Sequence, residues 1–382
     1  MERLWTKPFI QLTAGMLFLF TGFYLLLPTM PLFIKQLGGS ESQVGFVVGV
    51  FTLSAVIFRP IVGGLLDRYG RRPFIVWGLL LFVVAMYLYS WVGGIVVLLA
   101  LRIVHGMSWA LSTTAVGTAI TDVIPPARRG EGMGWYGMAM TVAMAIGPML
   151  GIWMLQKLSF QGLFLYATGF AAVALLLALG TKIPFQPKAG AGRIQLVEKS
   201  VLSVTVAIFF LAVPYGGITT FLPLFAESIK VNPGTFFLVY AVALTLIRPI
   251  AGKLSDRYGE SFIIVPALGT TMAALLVLSF SSGLTGVIVA AVLYGIGFGS
   301  AQPALQAATL RLAPADREGV ANASFFTAFD LGIGLGAIVL GWVSQHTGYQ
   351  ALFTVSAVSV AVSLILFAVF VRQLLRAVVP QN

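Results

Sequence analysis

The sequence has no cysteine, only two histidines and little charge: 9% of its 382 residues are Asp, Glu, Lys or Arg, and 12 are acidic. Without cysteine there is no disulfide and no thiolate for metal binding or nucleophilic attack. His105 and His346 alone give no basis for an imidazole metal site. A phosphate-binding loop ending in Lys-Ser/Thr is also missing, which removes ATP as an energy source. "GIGFGS" at Gly295 and "LGIGLGA" at Leu331 lack the spacing and the preceding strand of a dinucleotide loop, and both lie in apolar runs where small residues mark helix contacts. No enzyme activity and no cofactor are expected. What is abundant is apolar: 59% hydrophobic residues and 42 glycines, with a mean hydropathy of +0.98. Many uninterrupted runs exceed the roughly 18 residues of a membrane-crossing helix.

Apolar segments fall near 9–34, 43–66, 73–91, 95–121, 131–156 and 161–181, then near 200–228, 234–255, 261–281, 284–311, 319–344 and 349–371. The basic start "MERLWTKP" leads into an apolar run longer than a signal peptide's, with no small-residue cleavage site, so it reads as the first retained span. Twelve spans place both termini on one side. Of the 23 Lys and Arg, only Lys35, Lys157 and Lys230 then lie opposite the termini, which the positive-inside rule makes the cytoplasmic side. The net charge of +11 is thereby a matter of topology; the basic residues are scattered over short loops, so nucleic acid is not an expected partner.

"RPIVGGLLDRYG" from Arg59 returns as "RPIAGKLSDRYG" from Arg248, 189 residues on. "PLF" at Pro31 and again at Pro223 is a second anchor, shifted slightly from that offset. The chain is therefore a parallel duplication: an N-terminal six-helix bundle over 1–181, a linker over 182–199 rich in Pro, Gly and charge, and a C-terminal six-helix bundle over 200–382. In transporters built from such repeats the substrate site lies near the bilayer midplane, and access alternates as the repeats rock. In the repeated strip, Gly63 and Gly252 are expected to admit a neighbouring helix. Asp67 and Asp256, four residues on, are suited to cap a helix N-terminus.

Gly63-Gly64-Leu65-Leu66-Asp67-Arg68-Tyr69-Gly70-Arg71-Arg72 resembles the signature between spans 2 and 3 of the major facilitator superfamily, and the two-times-six layout extends that resemblance over the whole chain. It implies the major facilitator fold: all-α, twelve transmembrane helices in two pseudo-symmetric six-helix bundles. It further implies that Asp67 caps span 11 in the outward-open state and that Arg71 and Asp122 complete a charge network, a gate joined by Arg68, Arg72, Gly252, Asp256 and Arg257. The second copy departs after Gly259, where Glu260 and Ser261 replace the arginines, so a weaker C-terminal latch is expected. "LRIVHGMSWA" is similar to the family's Arg-x-x-Gln-Gly pattern, with Arg102 and Gly106 matching and His105 in place of glutamine. Gly134, Ala143, Gly147, Pro148 and Gly151 follow the spacing of the antiporter branch, with Ala143 and Ile152 replacing two glycines; the Gly-Pro pair is expected to kink span 5, and ordinary packing of span 5 on span 8 is the plainer alternative.

Arg59, Arg102, Arg248 and Asp330 are the ionisable residues well inside spans, where an uncompensated charge costs several kcal/mol. Asp330 lies about 17 Å along span 11 from Gly319, near the midplane, and is the only mid-span carboxylate. An Arg59 to Asp330 pair is expected, with Arg102 as the competing partner. A carboxylate alternating between an arginine and a dehydrated site can take up and release a proton. His105, one turn from Arg102, is a candidate relay or else a hydrogen-bonding helix residue. Arg248 has no evident acidic partner. In the family, spans 1, 4, 7 and 10 line the cavity, which here implies Thr21, Tyr24, Arg102, Trp109, Tyr215, Thr219, Tyr294 and Gln302; plain packing is the alternative for the aromatics. Span 1 carries no acid, so neutral amphipathic compounds, sugars or anionic metabolites such as a metallophore suit the lining at least as well as cations.

The reading is a secondary exporter of the drug:proton antiporter branch, a multi-pass inner-membrane protein with cytoplasmic termini, expected as a monomer. Its partners are a small-molecule substrate, protons and the lipid bilayer. The alternatives are uptake, facilitation or lipid flipping on the same fold, and a non-transporting membrane receptor.

Overall fold

The structure is a computed structural model that describes residues 3–125, 128–181, 183, 198–314 and 318–378. Those residues form helices, turns and irregular chain, with no strand among them. In hydrocarbon each backbone N–H must find its acceptor within its own segment, which an α-helix does and an open strand does not.

Along the chain run α1 (Lys7–Tyr24), α2 (Leu26–Gln36), α3 (Glu41–Tyr69), α4 (Arg71–Leu88), α5 (Ile95–Val123), α6 (Arg129–Leu155) and α7 (Phe160–Leu179). They are followed by α8 (Leu202–Ser228), α9 (Pro233–Tyr258), α10 (Glu260–Ser279), α11 (Leu284–Leu312), α12 (Glu318–Leu366) and α13 (Arg372–Val378). Among the described residues, 11 helical stretches are long and apolar enough to cross a membrane. α1 and α2 make one of these, Lys7–Gln36. The last, Val320–Leu375, is 56 residues long and contains Gly348 at φ 83° and ψ 175°, outside helical geometry. The two apolar segments read near 319–344 and 349–371 lie on either side of that glycine.

The chain divides into two compact units, one of Met1–Leu37 and Val50–Ile194, the other of Gly38–Gly49 and Gln195–Asn382. In the first unit α1 packs on α6 and α7, and α4 on α5 and α7; in the second, α8 packs on α12, and α10 and α9 on α11. Small residues allow these approaches. A Cβ on Gly78 would come within 2.7 Å of the Ser112 nitrogen, one on Gly106 would strike the Phe51 carbonyl, and one on Gly216 would strike that of Ile333. Many hydroxyls inside the helices bond to the preceding turn, as in Thr21 to the Leu17 carbonyl at 2.7 Å, and some to a neighbouring helix, as in Ser363 to the Ala207 carbonyl at 2.8 Å. Trp77, Trp91, Val96 and Leu176 are exposed, as expected of side chains that meet lipid instead of water.

The repeated strip forms the same local structure in each unit. Gly70 ends α3 at φ 85° and ψ 170°, and Gly259, 189 residues on, ends α9 at φ 84° and ψ 158°. A side chain is strained in that backbone region, which explains why "DRYG" keeps its glycine in both copies.

Candidate functional site

In the first unit, polar and aromatic residues gather where α5 crosses α3 and α4. Arg102 is 2% exposed and places its guanidinium carbon 4.5 Å from the centre of the Phe51 ring, a cation–π contact that is strong only where water is excluded. One turn on, His105 is fully buried, with Nδ1 2.8 Å from the Tyr89 hydroxyl. Trp109, a further turn along, stacks on Phe23 with ring centres 4.2 Å apart. Trp109 is 6% exposed and Thr21 4%, so both belong to the packed interior of this unit, while Tyr24 is half-buried. Arg59 is half-buried on α3.

At the end of this unit where α3 meets α4, Arg71 donates from Nε to Asp122 Oδ2 at 2.8 Å and from Nη1 to the Leu66 carbonyl at 3.0 Å. One guanidinium thus ties the last turn of α3, the first residue of α4 and the last turn of α5. Arg72 is exposed. The side chains of Asp67 and Arg68 lie outside the described residues, as does that of Asp256 in the second copy. Within their own units and among the described residues, nothing lies within 4 Å of a Cβ built on Gly63 or Gly252. Two glycines of the antiporter-like spacing on α6 do admit another backbone. A Cβ on Gly151 would strike the Leu25 carbonyl, and one on Gly147 would come within 2.5 Å of Tyr24 Cβ. They face Leu25, the residue between α1 and α2. α6 itself runs as one helix through Pro148, so the expected kink does not break it. The packing partner found within this unit is span 1. Gly134 lies outside the residues whose surroundings are described.

In the second unit Asp330 sits on α12, half-buried, with Oδ2 buried. Arg248 lies on α9 with a buried Nε. Tyr215 stacks on Phe298 with centres 4.8 Å apart and planes 6° off parallel, and Phe298 stacks on Tyr294 at 5.5 Å. The Tyr294 hydroxyl is buried with no hydrogen-bond partner among the described residues. Thr219, 3% exposed, donates to the Tyr215 carbonyl, while Gln302 is half-buried. Arg257 is exposed and lies over the Tyr258 ring at 5.2 Å.

Two features escaped sequence reasoning. Tyr89 is one. The other is an ion pair between Glu260, first residue of α10, and Arg311, in the last turn of α11, at 2.9 Å. These positions are those of Arg71 and Asp122 advanced by 189 residues, with the charges exchanged. The loss of arginine at Glu260 therefore does not leave the second copy without an ion pair. Applying the repeat offset to Asp122 would have found Arg311. Among the described residues no group of His, Asp or Glu is arranged to hold a metal ion.

The model of the Major Facilitator Superfamily matches residues 12–337 and 234–381. The staphylopine export protein of Staphylococcus aureus is 24% identical over 94% of this chain and 95% of its own. The multi-drug resistance efflux pump PmrA of Streptococcus pneumoniae is 24% identical over 92% of this chain and 93% of its own. A solved bacterial homolog to the human lysosomal transporter Spinster superposes with a TM-score of 0.77 over 98% of each chain at 15% identity.

Proposed function

This chain belongs to the Major Facilitator Superfamily and is a secondary active transporter of a small molecule across a membrane; from that premise we propose that it exports an organic solute in exchange for protons, by alternating access. The observation that carries proton coupling is Asp330, a half-buried carboxylate inside the helical stretch Val320–Leu375, which is long and apolar enough to cross a membrane. Such a group exchanges its proton as its surroundings switch between wet and dry, or as an arginine comes and goes. Export is supported by the near end-to-end similarity to a staphylopine exporter and a multi-drug efflux pump.

The proposed architecture is twelve spans in two six-helix bundles, over 1–181 and 200–382 with a linker between. Gly348, which separates two apolar runs within α12, supports the count. The proposal places the protein in the inner membrane with both termini in the cytoplasm, an orientation that its Lys and Arg distribution supports. For the solute, the first unit offers Arg102 with Tyr24, Thr21 and Trp109, and the second offers Tyr215, Thr219, Tyr294 and Gln302. A buried arginine with aromatic neighbours, and no acid on span 1, favours neutral or anionic solutes over cations. The Arg71 to Asp122 pair, with Arg72, supports a cytoplasmic gate formed with Asp67 and Arg68.

The test is transport by purified protein in proteoliposomes under an imposed pH gradient, against a panel of drugs, sugars and metal-chelating metabolites. Proton movement in the direction opposite to one compound is the expected result. Movement of both in the same direction would make it an importer, and no movement with any compound would favour a receptor.

A further inference from the structure

We propose that Tyr89 is a positioning residue: beside the Arg102 charge its hydroxyl gives a hydrogen bond to His105 Nδ1, so that His105 is locked as the neutral Nε2–H tautomer and does not itself carry protons. The inference rests on the reading of Arg102 as part of the transport machinery. Tyr89 opens the short turn Tyr89–Trp91 that follows α4 and is 1% exposed, and His105 on α5 is fully buried. In such surroundings polar hydrogens must be accounted for one by one.

The direction of the chain follows from chemistry alone. A guanidinium has donors and no acceptor. Arg102, one helical turn from His105 on α5, sets its positive charge beside the Tyr89 hydroxyl, and a neighbouring cation draws the oxygen lone pairs toward itself and turns the O–H away. Its single O–H is then left for the other neighbour, His105 Nδ1, 2.8 Å away. An Nδ1 that accepts places the ring proton on Nε2. Nε2 has no hydrogen-bond partner among the described residues. What surrounds the ring is aromatic: Phe82 with centres 4.7 Å apart at 73°, and Phe51 at 4.8 Å and 61°. An N–H tolerates an aromatic face as a weak acceptor, while a bare nitrogen lone pair is repelled by it.

A second proton on the ring would sit on Nδ1, facing the O–H of Tyr89 with the Arg102 charge behind it. The described elements around the ring supply no acid to compensate. α1 presents Phe23, α3 presents Phe51, α4 presents Phe82, and the charged or titratable neighbours are Arg102 and Tyr89. The histidine that stands where the family's pattern has glutamine is thus used as glutamine would be, as a hydrogen-bond acceptor. The consequence is mechanical: His105, one turn from Arg102 on α5, is fixed by way of Tyr89 to the end of α4.

The chain has only two histidines, so full-length protein labelled with nitrogen-15 histidine and carrying His346→Gln gives a single imidazole signal. In lipid nanodiscs that signal is expected to show a protonated Nε2 and a bare Nδ1, unchanged between about pH 5 and 8. A ring that titrates in this range, or one protonated on Nδ1, overturns the proposal. Tyr89→Phe should free the ring, seen as mixed tautomers or the onset of titration, and should lower transport by roughly tenfold; an unaltered spectrum in Tyr89→Phe would contradict the assignment. His105→Gln should retain more transport than His105→Leu, because only the amide oxygen can accept from Tyr89. Equal loss in both would also count against it. The spectra stand apart from transport, so they decide the matter even if proton exchange itself is disproved.

Discussion

Arg71 and Asp122 in one unit, and Glu260 and Arg311 in the other, occupy equivalent places in a duplicated chain with their signs exchanged. In the second unit the acid begins α10 and the base lies in the last turn of α11. Both helix dipoles favour that arrangement, each by about 0.3–1 kcal/mol. In the first unit the base begins α4 and the acid lies in the last turn of α5, so both dipoles oppose it. The compensation comes from the third partner, the Leu66 carbonyl at the end of α3, which only a donor such as arginine can serve. The buried partner is exchanged as well: Arg71 is 8% exposed against 32% for Asp122, while Glu260 is 9% exposed against 43% for Arg311. The first pair gathers three helices against its local field; the second ties two helices in accord with theirs. We read the first as the pair that opens during transport and the second as a fixed brace.

The sharpest way to break this comparison is to reverse one buried charge. Arg71→Glu sets two carboxylates together and deprives Leu66 of its donor, with an expected cost of about 3–5 kcal/mol and loss of transport. Glu260→Arg places a guanidinium at a buried position but should cost less, about 2 kcal/mol, because Arg311, 43% exposed, can swing away. Chemical denaturation of the purified protein checks both. Equal costs would show that the two pairs do the same work.

Next come the glycines, where the halves should agree. Gly70→Ala and Gly259→Ala each force a side chain into a left-handed backbone and should cost about 1–3 kcal/mol. Gly63→Ala and Gly252→Ala meet open space on a helix and should stabilise by up to about 1 kcal/mol. The same unfolding assay reads all four.

A smaller effect separates the double exchanges. Glu260→Arg with Arg311→Glu keeps a pair but turns it against both dipoles, for an expected loss of about 1 kcal/mol. Arg71→Glu with Asp122→Arg turns its pair into line with the dipoles and should recover part of the single variant's loss, short of wild type because the Leu66 bond is gone. Smallest is the response to salt. Raising ionic strength from about 0.1 to 1 M should weaken either pair by no more than a few tenths of a kcal/mol, because each keeps one partner buried, as comparison with Glu260→Gln and Arg71→Gln backgrounds would show.

Sequence alone served best where a single local quantity decides the outcome. The spans were legible because hydropathy needs no partner: the run read at 95–121 is α5, Ile95–Val123. The repeat was legible because "DRYG" encodes its own turn. Rotation about a helix axis was not legible. The spacing of Gly147 and Gly151 did not say which neighbour within the unit they admit, and the structure places Leu25 there. Tyr89 escaped notice because its partner lies on another helix, and nothing in the period of α4 points to it. Glu260 was read as a lost arginine because its compensation, Arg311, lies 51 residues away.

The most direct measurement compares wild type with Asp330→Asn in proteoliposomes holding a transported compound, with a pH-sensitive dye following the lumen. Wild type should move protons opposite to the compound. The variant should still exchange labelled for unlabelled compound across the bilayer but no longer concentrate it when a pH gradient is imposed. Proton-driven accumulation by Asp330→Asn at the wild-type level would contradict the account.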